Sequence, residues 1–116
     1  MKIKKEKKTH GSFRINQNTE REMLAALVSA GYGLKGKSRW IVEAVEQFLE
    51  MPEYWDLVDI ASEQDELKRP VMCVVPESLH KKIEDAIDEV RTHFPRLEGV
   101  KSNIFRAAII QRLLRT

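Results

Sequence analysis

One cysteine among 116 residues excludes an internal disulfide. Three scattered histidines, His10, His80 and His93, give no Cys/His cluster of zinc spacing, so no metal site is expected. No apolar run approaches the ~18 residues of a membrane span. The basic N-terminus lacks the apolar core of a signal peptide, so a cytoplasmic protein without a membrane partner is expected. Aromatics make up only 7% of the chain. Trp40 and Trp55 read as packing residues, because Trp40 lies beside an apolar stripe. No catalytic constellation is visible. The pairs Glu84-Asp85 and Asp88-Glu89 read as a solvated helix face, so neither an enzyme nor a cofactor is expected. Cys73 sits in an apolar run and reads as a small core hydrophobe.

Net charge is small, +2, but unevenly placed. Residues 1–50 carry +4, residues 51–67 carry −6 with no base, and residues 68–116 carry +4. Two basic units joined by an acidic connector suggest a polyanion partner for the units and not for the connector.

What the chain does have is a stretch that occurs twice. Lys37-Ser38-Arg39-Trp40-Ile41-Val42-Glu43-Ala44-Val45 is matched by Lys101-Ser102-Asn103-Ile104-Phe105-Arg106-Ala107-Ala108-Ile109. Each copy reads as a helix start, with Ser38 or Ser102 accepting from free backbone N–H groups. Ile41, Ala44, Val45, Phe48 and Leu49 form the stripe of a helix buried on one face. The second copy carries apolar residues on further faces, which predicts a helix covered on more than one side. Neither unit is long enough to bury a core alone, since units near ~40 residues usually need a partner, metal or disulfide.

In chain order, residues 1–9 read as a flexible basic arm holding Lys2, Lys4, Lys5, Lys7 and Lys8. The first unit spans 10–50. His10 to Asn16 alternates polar and apolar, a strand with Phe13 and Ile15 inward and His10, Ser12 and Arg14 outward. Gln17-Asn18-Thr19 breaks it, and Thr19 with Glu22 forms a capping box. Met23, Leu24, Leu27 and Val28 supply that helix's buried face. A glycine-rich turn leads to the Lys37–Glu50 helix. The acidic connector, 51–68, is expected to be helical from Glu53 to about Leu67, with Trp55 and Val58 packed and Asp56, Asp59 and Glu63 in water. The second unit, 69–116, repeats the order: a strand over Arg69–Val75, a helix bearing Leu79, Ile83, Ile87 and Val90, a loop, and a last helix. Strands and first helices align at a shift of sixty, and the Lys-Ser pairs at sixty-four.

Strand–helix–loop–helix in about 45 residues, with a serine at the second helix start, resembles the ribbon-helix-helix DNA-binding family of the Arc and MetJ repressors. Two copies in one chain are similar to the tandem, TraY type of that family. The fold class implied is mainly α with short β-ribbon strands: β-α-α, connector helix, β-α-α. In the family two strands pair antiparallel and enter the major groove. The resemblance therefore implies base reading by His10, Ser12 and Arg14. It implies phosphate contacts by Lys37 and Ser38, and by Lys101 and Ser102, with Lys35 and Arg39 nearby.

The second strand departs from that pattern, because it turns Pro70, Met72 and Val74 outward. Such residues make no hydrogen-bond code, although Met or Val can touch a thymine methyl. The two repeats can pair within one chain as a pseudo-dimer, or each with its own copy in a homodimer, and the sequence leaves both open. The resemblance implies a sequence-specific transcription regulator of bacterial, plasmid or phage type. A conjugation accessory protein at an origin of transfer is the second reading. An antitoxin-type interaction module ranks last, because antitoxins of this fold usually carry a tail beyond the second helix. The acidic connector remains a possible protein-binding surface.

Overall fold

The computed structural model describes residues 7–116, and of Leu34 the backbone alone. The elements in order are β1 (Lys8–Ile15), α1 (Gln17–Ser29), a 3-10 turn (Leu34–Gly36), α2 (Lys37–Leu49), α3 (Tyr54–Ala61), β2 (Arg69–Pro76), α4 (Glu77–His93) and α5 (Val100–Arg115). Lys2, Lys4 and Lys5 of the expected arm lie outside the described residues. Lys8 and Thr9, also assigned to that arm, belong to β1, and the Lys7 carbonyl accepts from the Glu77 N–H at 2.8 Å.

β1 and β2 pair antiparallel within the chain, from Lys8 opposite Pro76 to Ile15 opposite Arg69. Ser12 faces Met72 in this ladder. A shift of sixty maps Ser12 onto Met72. The ribbon is therefore centred on equivalent positions of the two repeats, as an approximate two-fold axis between them requires. α1 and α4 begin at Gln17 and Glu77, the same shift apart.

Alternation along both strands sends one face to the helices. Gly11, Phe13, Ile15, Val71, Cys73 and Val75 are buried beneath the ribbon. Phe13 stacks on Phe105 of α5, with centroids 4.8 Å apart and planes 10° apart. A Cβ at Gly11 would lie 3.2 Å from Cζ of that Phe105 ring, so a glycine lets the ribbon settle against it. α5 runs through the middle of the molecule, touching α1, α2, α3, α4 and β1. Every residue from Asn103 to Ile109 is buried, which a helix covered on several faces requires. Both repeats contribute to one apolar core.

Several local expectations are corrected. The α1 cap is Asn16, not Thr19: the chain leaves β1 at Ile15, Asn16 stays extended, and its side chain accepts from the Thr19 N–H at 2.8 Å. Gln17, Asn18 and Thr19 are consequently helical, and Thr19 is buried. Val28 is 63% exposed and does not belong to the buried face, which Met23 and Leu27 carry. Ser38 and Ser102 do not cap their helices. Gly36 and Gly99 hold the cap positions without a side-chain hydrogen bond, and the helices start at Lys37 and Val100. The connector helix is shorter than expected, Tyr54–Ala61, and docks through Val58 and Ala61. Ile87 is half-buried, with Ala86 taking its place in the buried stripe of α4.

Replacing Asn16 by Ala should lower stability by about 1 kcal/mol, the usual cost of a lost N-cap. Urea unfolding followed by circular dichroism measures it. A larger loss in Glu22→Ala than in Asn16→Ala would return the cap to the Thr19–Glu22 box.

Candidate nucleic-acid interface

The outer face of the ribbon carries Lys8, His10, Ser12 and Arg14 from β1, all exposed. From β2 it carries Pro70 and Met72, exposed, and Val74, half-buried. No helix covers this face among the described residues. Across the ladder Arg14 faces Pro70, Ser12 faces Met72, and His10 faces Val74. The Arg14 guanidinium lies at the ribbon end, 3.5 Å from the Lys68 carbonyl at its nearest. Two strands sit ≈ 4.8 Å apart, narrow enough for a major groove ≈ 12 Å wide.

The N-termini of α2 and α5 flank the two ends of the ribbon. At the β2 side, Ser38 Oγ accepts from the Val74 N–H at 3.1 Å. That N–H lies on an open strand edge, where an unmet donor is costly if buried. Ser38 therefore docks helix to ribbon instead of capping its own helix. Lys35 is exposed in the preceding turn, and Lys37 is half-buried at the helix start. Arg39 is exposed, with its guanidinium 4.5 Å from the centre of the Tyr32 ring. At the β1 side, Lys101 and Ser102 are half-buried in the first turn of α5. Ser102 lines one shallow cleft with Ser12, Arg14, Pro70, Gly99 and Arg106. Outward-facing strand residues and the N-terminus of α5 thus line a common hollow.

Arg106 is the site residue that the sequence reading missed. It is 8% exposed, and its Nη1 donates to the Arg14 carbonyl at 2.9 Å. Its Nη2 donates to Asn103 Oδ1, and Asn103 Nδ2 donates to the Glu98 carbonyl at 3.2 Å. Burial lowers the Arg106 pKa from its usual value. The guanidinium is held by neutral oxygens and fixes the backbone of Arg14 over α5. A single charged residue inside the apolar run Ile104–Ile110 was the available signal, since a buried arginine is rare unless paired; here both Nη atoms find acceptors and the buried Nε does not. Its repeat equivalents, Val42 for Arg106 and Arg39 for Asn103, cannot form this link.

Charge is segregated along the molecule. Lys8, Arg14, Lys35, Lys37, Arg39 and Lys101 lie at the ribbon end, together with Glu77 and the Glu20–Arg69 ion pair. The far end of α2 carries Glu46 and Glu50, which line a cleft with Asp85, Glu89, Tyr54 and Trp55 and with one cation, Lys82. The rise of ~1.5 Å per helical residue puts roughly 15 Å between these ends. A phosphate backbone would be drawn to one and repelled by the other.

No family model, curated protein or solved structure matches this chain.

Cys73 lies under the ribbon, 1% exposed, against the Ser38 carbonyl. Burial pushes its thiol up to about 11, partly opposed by Ser38 and Lys37. The folded chain keeps that proton to higher pH than the unfolded chain does. The associated stability is complete below pH 9.0 and lost as pH rises through about 11. The urea midpoint should therefore fall more steeply over this range in the natural chain than in Cys73→Ala. Equal slopes would show that the thiol is not desolvated.

Proposed function

We propose that this protein is a sequence-specific double-stranded DNA-binding regulator of the tandem ribbon-helix-helix type. One chain supplies both strands of the reading ribbon. The observation that carries the reading is the uncovered ribbon face, set between two helix N-termini that each begin with Lys-Ser or Val-Lys-Ser. Free N–H groups and the helix dipole favour an anion at such ends. Phosphate contacts through Lys37, Ser38, Lys101 and Ser102, with Lys35 and Arg39 beside them, supply affinity and salt dependence. His10, Ser12 and Arg14 supply sequence. Arg14 can give guanine O6 and N7 a bidentate contact, and the Arg106 link to its carbonyl supports that placement. Regulation follows from occupancy of a promoter or operator. The same chemistry suits a conjugation accessory protein that marks an origin of transfer.

Arg14→Ala should cost about 1–3 kcal/mol on the specific duplex and far less on unrelated DNA. Lys37→Ala should weaken all duplexes and flatten the salt dependence by about one unit. Fluorescence anisotropy at several salt concentrations measures both. Equal loss on both DNAs would remove Arg14 from base reading, and an unchanged slope would remove Lys37 from the phosphate contacts.

A further inference from the structure

The two ends of the ribbon are not equivalent. The approximate two-fold through Ser12 and Met72 relates His10 to Pro70 and Arg14 to Val74. A true two-fold would put the same residues at both ends. Instead one end presents the Arg14 guanidinium beside Pro70, and the other presents Val74 beside His10. At the centre a hydroxyl, Ser12, faces a thioether, Met72, which is 62% exposed. Met72 shares the outer face of β2 with Pro70 and half-buried Val74, so an apolar strip lies beside the polar outer residues of β1.

The flanking helices differ in the same sense. The α2 terminus docks at the Val74 end and brings Lys35, Lys37 and Arg39. The α5 terminus docks at the Arg14 end and brings Lys101, with Arg106 turned inward on the Arg14 carbonyl. The α2 terminus thus brings more cations than the α5 terminus does.

Resting on the DNA-binding reading above, we propose that the target is a non-palindromic duplex site. One half carries guanine for Arg14. The other half and the centre carry thymine, read through its 5-methyl group by Val74 and Met72. The thymine methyl is the apolar feature that standard base pairs present in the major groove, and a flexible thioether suits it. DNA, rather than an apolar partner, is the occupant because Lys8 shares the ribbon face and Lys35, Lys37 and Lys101 stand at the helix starts that flank its two ends. Such cations complement phosphate and would be stripped of water by an apolar surface.

The test is selection of bound duplexes from a random library with the full chain, followed by replacement of each recovered thymine with deoxyuridine. That exchange removes one methyl and leaves the hydrogen-bonding edge intact. The expected result is a site with unlike halves. Affinity should fall roughly fourfold for each methyl that Met72 or Val74 covers. Met72→Ser combined with Val74→Ser should abolish this sensitivity while leaving the fold and binding to unrelated DNA in place. Identical inverted halves, or equal affinity for thymine and uracil sites, would overturn the methyl-reading asymmetry while leaving a sequence-reading protein. Recovery of no motif would overturn the DNA-binding reading and this inference with it. Self-association lost on Met72→Ser, with no methyl effect, would assign the patch to a second copy instead.

Discussion

Eight residues of β1 and eight of β2 exchange backbone hydrogen bonds across the whole middle of the chain. Two isolated strands are marginal in water. Closing so long a loop adds an entropic cost that grows slowly with its length. The ribbon persists because its inner face is apolar on both strands and rests on α5 and α2. Phe13 on Phe105, and Cys73 beside the start of α2, are the contacts through which this burial acts. Ordering the ribbon thus requires the helices of both repeats, which pack on one another directly, α5 against α1 and α2. Neither repeat has an independent core.

The same coupling sets the outer face. Ser38 meets a donor on the β2 edge, and Arg106 meets an acceptor on β1. These two polar links hold the ribbon from opposite sides, yet they use different chemistry at related places in the repeat. A hydroxyl accepts from an amide in one case, and a buried guanidinium donates to a carbonyl in the other. The repeats have kept the architecture and diverged in the residues that fasten it. Divergence on the outer face, cationic on β1 and apolar on β2, follows the same division.

Much of this fold was legible because its signals are periodic. Alternation in His10–Asn16 and the spacing of Leu79, Ile83 and Val90 report directly on which side of an element is wet. The shift of sixty between repeats anticipates the centre of the ladder at Ser12 and Met72. It did not decide whether the strands pair within a chain, since an interchain pairing would preserve the same pattern. Caps were less legible. Asn16-x-x-Thr19 and Thr19-x-x-Glu22 both suit a helix start, and the choice fell to where β1 ends. The serines of the repeated Lys-Ser pairs were misread as caps because a competing acceptor demand, the open edge of β2, is a tertiary feature. Arg106 was hidden for a related reason: its partners lie 92 residues away in Arg14 and three away in Asn103. The ribbon face that carries the functional proposal was read residue by residue, including the apolar outer side of β2, whereas the pairing of Arg14 with Pro70 and of His10 with Val74 needed the register.

The central claim is that one chain closes its own ribbon. Thermal unfolding at protein concentrations from about 1 to about 100 μM, with sedimentation mass recorded at both limits, tests it most directly. A ribbon closed within the chain predicts an unchanged midpoint and a folded species of 13.5 kDa. A midpoint that rises with concentration, accompanied by a folded species of twice that mass alone, would contradict it and place the second strand on another copy.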